Sequence, residues 1–310
     1  MRNKLFEKIC CKRQHELKEW LAKKLEIMGR TVVNKDGYLF SDGKFPVLLT
    51  AHMDTVHKKQ CANIKYVKSA NGKTIAYESN GIGGDDRCGI YMILQILKQL
   101  DCAVLFCEDE EIGSIGASIF TRSDLCQTLK AENRFKYIIE LDRMNSNDAV
   151  FYEDDNEDFH SFVTKEFWET SHGSWSDICE LSPALGISSV NLSCGYYNQH
   201  TNEEYVVLEE MEEAIKQTIA LLKRTDLEAE PFEFIENRYC GYSWEYKYLN
   251  GNIYDSDTNR CYLEVWLAND TKFGSHWFSV YGKNENDCWH KIFFDNPNLC
   301  VNDIVDWYIY

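Results

Sequence analysis

The chain has 310 residues, enough to bury one large core and leave a smaller second unit. Its 50 acidic residues outnumber 33 basic ones, and the formal net charge of -17 argues against a nucleic-acid partner, which selects a basic face. No run reaches the ~18 apolar residues of a membrane span, so no membrane partner is expected.

The opening residues are charged throughout and lack the ~7–15-residue apolar segment of a secretory signal, so the expected location is cytoplasmic. The 13 cysteines agree with that. They are scattered and sit mostly in apolar contexts, as at Cys102, Cys107 and Cys261, which suits small buried hydrophobes in a reducing compartment. No CxxC pairs suggest a thiolate metal site.

Leu5, Ile9, Leu17, Trp20, Leu21 and Leu25 recur at helical spacing and predict one amphipathic helix over residues 4–28. Thr31–Val33 and Tyr38–Phe40 flank a turn at Asn34–Gly37, and a second hairpin joins Ile64–Val67 to Thr74–Tyr77. Val47–Ala51, Ala103–Cys107, Tyr137–Leu141 and Ser188–Leu192 read as buried strands. Asp86–Leu100 and Leu208–Leu222 read as helices with apolar faces. Buried strands alternating with helices predict an α/β domain around a mixed or largely parallel sheet, over residues 1–225.

The acidic, Pro-containing stretch Arg224–Glu233 marks a boundary. Residues 232–310 hold five of the eight tryptophans and are expected to form a small α+β module. Strands are predicted at Tyr239–Leu249, Tyr262–Leu267 and Trp277–Tyr281, and a helix at Asn284–Phe294.

Each buried strand of the first domain leads into polar residues of one kind. His52 and Asp54 follow the first, Glu110 and Glu111 the second, Asp142 the third and His200 the fourth. Asp85 and Asp86 open a helix after Gly81, Gly83 and Gly84. Sites in open α/β sheets gather at the carboxyl ends of strands. Two histidines and several carboxylates there suit zinc or another borderline divalent ion, and such an ion would relieve the repulsion within Glu108-Asp109-Glu110-Glu111. Singly, each residue has a plainer reading: an exposed loop for Glu108 and Asp109, a helix cap for Asp85.

The segments AHMDTV, GGDDRCG, DEEIGSIGA, IELDR and NQHTNEEYV, in this order, resemble the co-catalytic dizinc exopeptidases. That superfamily includes peptidase T, the glutamate carboxypeptidases and the zinc aminopeptidases, and the likeness covers roughly residues 1–223. It implies a phosphorylase/hydrolase-like mixed sheet flanked by helices and a site for two zinc ions, which cobalt or manganese can replace. By the same likeness His52 and Asp142 would bind one ion, Glu111 and His200 the other, and Asp85 both. Asp54 would orient His52, Glu110 would act as general base, and the bond between Asp85 and Asp86 would be cis. Asp177 matches the family's acidic residue before the final histidine, where it would support the site from behind, bind a substrate amine, or lie plainly at the surface.

The chain departs from the family where lids are inserted. Only 34 residues separate Asp142 from Asp177, and 32 separate His52 from Asp85, too few for an inserted domain. The oxyanion-stabilising histidine of the lid is therefore missing, and His172, Tyr196 and Tyr197 are the candidate replacements. The expected substrate is a short peptide, cleaved by an aminopeptidase because no lid reads a C-terminal carboxylate. An N-acyl amino acid substrate, a carboxypeptidase activity and a catalytically silent peptide-binding relative are the alternatives. An oligomer is compatible with the sequence, and the C-terminal module could cover the site, mediate dimerisation or simply hold its tryptophans as core.

Overall fold

A computed structural model of the chain describes residues 3–224, 231–236, 261–267, 277–282 and 304–309. They belong to two compact units, residues 1–238 and 239–310.

The first unit is built on an eight-stranded sheet. Across it run β1 (Val33–Lys35), β2 (Tyr38–Ser41), β6 (Cys102–Cys107), β3 (Phe45–His52), β7 (Tyr137–Arg143), β10 (Ser189–Ser193), β8 (Asp148–Val150) and β9 (Glu169–Thr170). The four central strands β6, β3, β7 and β10 are parallel. Side chains alternate between the two faces. Leu49, Val104 and Ile139 join one core, and Leu48, Leu105 and Ile138 join the other. Both faces are covered, which is why these strands read as unbroken apolar runs.

The larger core lies under α1 (Lys4–Cys10), α2 (Gln14–Ile27), α3 (Gly84–Ile96), α6 (Glu157–Thr164) and α8 (Leu208–Leu222). The smaller one lies under α4 (Ile115–Thr121), α5 (Asp124–Ala131) and α7 (Ile178–Leu185). Cys88, Cys102, Cys107, Cys126 and Cys194 are buried and free, packed as small apolar groups. A second, antiparallel sheet orders β11 (Tyr196–Tyr197), β12 (Tyr205–Val207), β5 (Thr74–Tyr77) and β4 (Lys65–Lys68). Among the described residues no helix is long and apolar enough to cross a membrane.

Three sequence expectations change. The single helix over 4–28 is two helices, broken at residues 11–13. Phe6 and Leu17 still face the same core, so the periodicity survives the break. The buried Arg87 guanidinium fills the break: it donates to the Lys12 carbonyl at 3.1 Å, just past the end of α1, and to the Met53 carbonyl, just past the end of β3. The helix after the glycines starts at Gly84 rather than Asp86, with Asp85 and Asp86 in non-helical backbone and a cis bond between them.

The third change concerns the boundary. The segment 231–236 packs on the first unit instead of opening the second. Phe232 donates its N–H to the Lys136 carbonyl at 2.9 Å, and its own carbonyl accepts from Ser188 at 2.8 Å. Its ring is buried against Phe159 and Phe162, with centroids 5.2 and 5.4 Å away. A single extended segment has no helical period, so nothing in its pattern reveals that it closes a core.

In the second unit β13 (Cys261–Leu267) pairs antiparallel with β14 (Trp277–Gly282) and β15 (Ile304–Ile309). The strands expected at Tyr262–Leu267 and Trp277–Tyr281 are present, and β15 is an addition. The expected strand at Tyr239–Leu249 and helix at Asn284–Phe294 lie outside the described residues.

If Phe232 closes the first unit, Phe232→Ala leaves a cavity among three aromatic rings and costs about 3 kcal/mol. Urea denaturation of the full chain measures this, and an unchanged midpoint would contradict the placement.

Candidate active site

The four acidic residues after β6 divide into two pairs. Glu108 is ion-paired with Lys18 of α2 and accepts the Gly37 N–H at 2.9 Å. Asp109 accepts from the Gln14 side chain at 2.8 Å. Both are partly buried and partnered, so neither is a free loop charge. The backbone passes Asp109 in the left-handed region, φ 58°, and turns the next two residues towards the end of β3. Glu110 and Glu111 there line a cleft with Asp85, Asp142 and His200.

The cleft contains two overlapping donor sets. His52 Nε2 lies 2.9 Å from Asp85 Oδ1 and 3.3 Å from Asp142 Oδ1. His200 Nε2 lies 3.2 Å from Asp85 Oδ2 and 3.1 Å from Glu111 Oε2. Asp85 thus turns one oxygen to each histidine. Within each set, one ligand atom per residue falls within 4.8 Å of the others, and His52 with Glu110 and Glu111 forms a third such group. His52 is 1% exposed and His200 50%, so the second set opens to solvent. Glu110 stands beside the first, its Oε2 3.9 Å from His52 Nε2.

The residues behind these are held by specific bonds. Asp54 Oδ1 lies 3.0 Å from His52 Nδ1, which leaves Nε2 to face the cleft. Asp54 also accepts the N–H groups of Glu110 and Glu111, each at 3.0 Å, so one carboxylate orients the histidine and anchors the glutamate turn. Asp86 faces away from the cleft. It accepts the His52 N–H at 3.2 Å and the Gly89 N–H at 2.9 Å, so the helix-capping role considered for Asp85 is filled by its neighbour. Asp142 accepts from the Ser176 hydroxyl at 3.0 Å, and its backbone N–H donates to the Asn191 side-chain oxygen at 3.0 Å.

The proposed oxyanion donors fare differently. Tyr196 lines the cleft, but its hydroxyl donates to the Asp142 carbonyl at 2.9 Å. Tyr197 turns away, stacked on Tyr205 and bonded to Glu210. His172 is exposed and is not among the lining residues, although Gly173, Ser174 and Trp175 are. Asp177 is fully buried at the start of α7, near the Cys107 thiol and Ser114, and so is neither a surface residue nor in reach of a substrate amine. Sequence reasoning missed Ser176, Asn191, Arg143 and Trp175. Ser176 beside Asp177 and Arg143 beside Asp142, within IELDR, were the positions that offered a signal.

Crowding of carboxylates governs the site's protonation. Burial, followed by the nearby Asp142, Asp177 and Asp85 charges, pushes Glu110 up to about 10 despite His52. Burial and then Asp85 lift Asp142 to about 7. Hydrogen bonds that His200 donates to the Asp85 and Glu111 carboxylates raise it to about 11. Burial works to lower His52, but Asp142, Asp54 and Asp85 hold it well above its ordinary value. Asp85 moves the other way: burial is outweighed by the two histidines and it stays ionised.

The donor types and geometry fit divalent metal: two imidazoles, ionised carboxylates, and a buried Glu111 Oε1 with no hydrogen-bond partner. Without a cation, the folded protein binds more protons than the unfolded chain through these raised groups, so its stability falls as pH rises through the window. For His200 that window runs from about 6.5 to about 11, and for Glu110 from about 4.5 to about 10. Chelator-treated protein should therefore melt at a lower temperature at pH 9 than at pH 6.5, with the difference reduced by added zinc. A melting temperature that rises with pH in the chelated protein would contradict the assignment.

Residues 38–183 match the family model for Peptidase family M28. No curated protein sequence matches the chain. Among solved structures it is similar to the aminopeptidase PepT from Bacillus cereus ATCC 10987, with 14% identity, 70% of this chain and 96% of that one covered, and a TM-score of 0.56. A tripeptidase from Staphylococcus aureus subsp. aureus Mu50 gives 14%, 70% and 96%, and 0.51. A TET aminopeptidase from a marine sediment archaeon, Thaumarchaeota archaeon SCGC AB-539-E09, gives 15%, 68% and 92%, and 0.50. The match spans β2 to α7, and the cleft residues His52 to Asp142 lie within it. The first unit thus has the fold of the co-catalytic zinc exopeptidases, and its residues 38–183 resemble Peptidase family M28.

Proposed function

We propose that the chain is a dizinc aminopeptidase acting on short peptides. The observation that carries this reading is Asp85, whose two oxygens face His52 and His200 separately, so that one carboxylate belongs to both donor sets. In the reading, His52, Asp85 and Asp142 hold one ion, and Asp85, Glu111 and His200 hold the other. Ions bound there would polarise the scissile carbonyl and acidify a water molecule.

Glu110 is the group left to move the proton. It lies next to the first donor set but does not contact His52 at bonding distance. Its environment favours the protonated form, and nearby positive charge would lower that preference towards neutral pH. It can therefore take a proton from the attacking water and return it to the leaving amine. Asp54 keeps its backbone in place during that transfer.

The charge of the cleft supports an amino-terminal substrate. Four carboxylates line it, and they attract the free amine of a peptide. Arg143 is the one Arg or Lys among the lining residues, and its Nε is engaged by Asp148 at 3.1 Å, which disfavours its use as a reader of a C-terminal carboxylate. Two of the structural neighbours are named aminopeptidases and the third a tripeptidase. The buried free cysteines support an intracellular, reducing setting.

Protein purified without chelator should release amino-terminal residues from di- and tripeptides. Glu110→Gln should lower turnover by at least about a hundredfold while zinc content is retained. Wild-type activity in Glu110→Gln would remove Glu110 as the base. Cleavage of N-acylated but not free-amine peptides would overturn the aminopeptidase assignment.

A further inference from the structure

Glu204 follows the His200 loop and is completely buried, although its neighbour Glu203 is exposed. A carboxylate without solvent must be satisfied by the protein. Glu204 Oε2 accepts the Gly83 N–H at 2.7 Å, and Oε1 accepts the Asp85 N–H at 3.0 Å. His57 Nε2 also lies 2.7 Å from Oε2. One side chain thus joins three segments: the loop after His52, the turn carrying Asp85, and the loop carrying His200.

The surrounding glycines are explained by this arrangement. A Cβ at Gly81, φ +89°, would lie 2.0 Å from the His57 ring. A Cβ at Gly84 would lie 2.8 Å from Tyr196 Cβ, 3.0 Å from Val206 Cγ2 and 3.3 Å from Glu204 Oε1. Gly83 sits at φ +69°, where side chains are disfavoured. The turn is packed this closely so that its two N–H groups reach one carboxylate. Glu204 is held from the other direction by β12, whose Tyr205 and Val206 pair with Tyr77 and Ala76 of β5, the strand that leads into the glycine turn.

We propose that Glu204 is a positioning residue: through the backbone of Asp85, and with His57 bracing it, it sets the separation of the two ion-binding sets. This rests on the dizinc reading above. It contacts neither donor set through a side chain, so its effect on them passes through the Asp85 backbone and the loop it shares with His200.

The test uses Glu204→Gln in the full chain. An amide group cannot accept with both of its polar atoms, so at least one of the two backbone bonds is lost. In metal-free protein, amide exchange at Gly83 and Asp85 should accelerate at least about tenfold, a readout independent of any ion. Zinc affinity by chelator competition should fall about tenfold to a hundredfold. kcat should fall with little change in KM, and excess zinc should restore part of the activity. Glu204→Asp, which keeps the charge, should retain more zinc affinity than the glutamine variant.

Unchanged amide exchange would overturn the clamp itself. Faster exchange with wild-type zinc affinity would overturn its role in ion spacing. Wild-type protein that takes up no zinc would sink the dizinc reading and the positioning role with it, while exchange still reports on the contact. Should Glu204→Gln fail to fold, His57→Ala removes one of the three contacts and should weaken zinc binding about threefold; unchanged affinity there also counts against the proposal.

Discussion

Four carboxylates, Asp85, Glu110, Glu111 and Asp142, face one cleft around two imidazoles. Their mutual repulsion is the constraint around which the first unit is arranged. Without positive charge, the crowding favours the protonated forms of Glu110, Asp142 and both histidines. With it, the same groups form a compact donor set. The surrounding structure resists the repulsion by bonding the backbone: Asp54 holds the glutamate turn, Asp86 holds His52, and Glu204 holds Asp85.

The fold makes this economical. Parallel strands β3, β6 and β7 finish side by side, so His52, the glutamate turn and Asp142 arrive at one edge by register alone. Asp85 and His200 come from loops beside the second sheet, where β5 and β12 are paired. The site thus spans two sheets, and its spacing depends on contacts between loops as well as on strand register. Buried carboxylates that accept two or three N–H groups supply those contacts, because a shared acceptor fixes the separation of its donors.

Much of this was legible in the sequence. Central strands buried on both faces appear as apolar runs, and the polar residues expected after three of them, His52, the Glu110–Glu111 pair and Asp142, lie together, whereas His200 follows β11 of the second sheet rather than the end of β10. The two-residue spacing of His52 and Asp54 also survived, with Asp54 on the histidine's far nitrogen. Legibility failed where adjacent residues of one type diverge. Glu203 is exposed and Glu204 buried; Tyr196 lines the cleft and Tyr197 does not. Sequence spacing carries no information on such a choice, which tertiary contacts make. The helices α4, α5, α6 and α7 were missed because seven or eight residues give only two turns of pattern. The segment at Phe232 was misplaced because it closes a core through one aromatic ring.

The most direct test of the central claim is anomalous diffraction at the zinc edge from crystals of zinc-loaded protein. The account predicts two peaks about 3.5–4 Å apart. One should lie among His52, Asp85 and Asp142, the other among Asp85, Glu111 and His200. A single peak, or peaks that leave Asp85 in contact with only one ion, would contradict it.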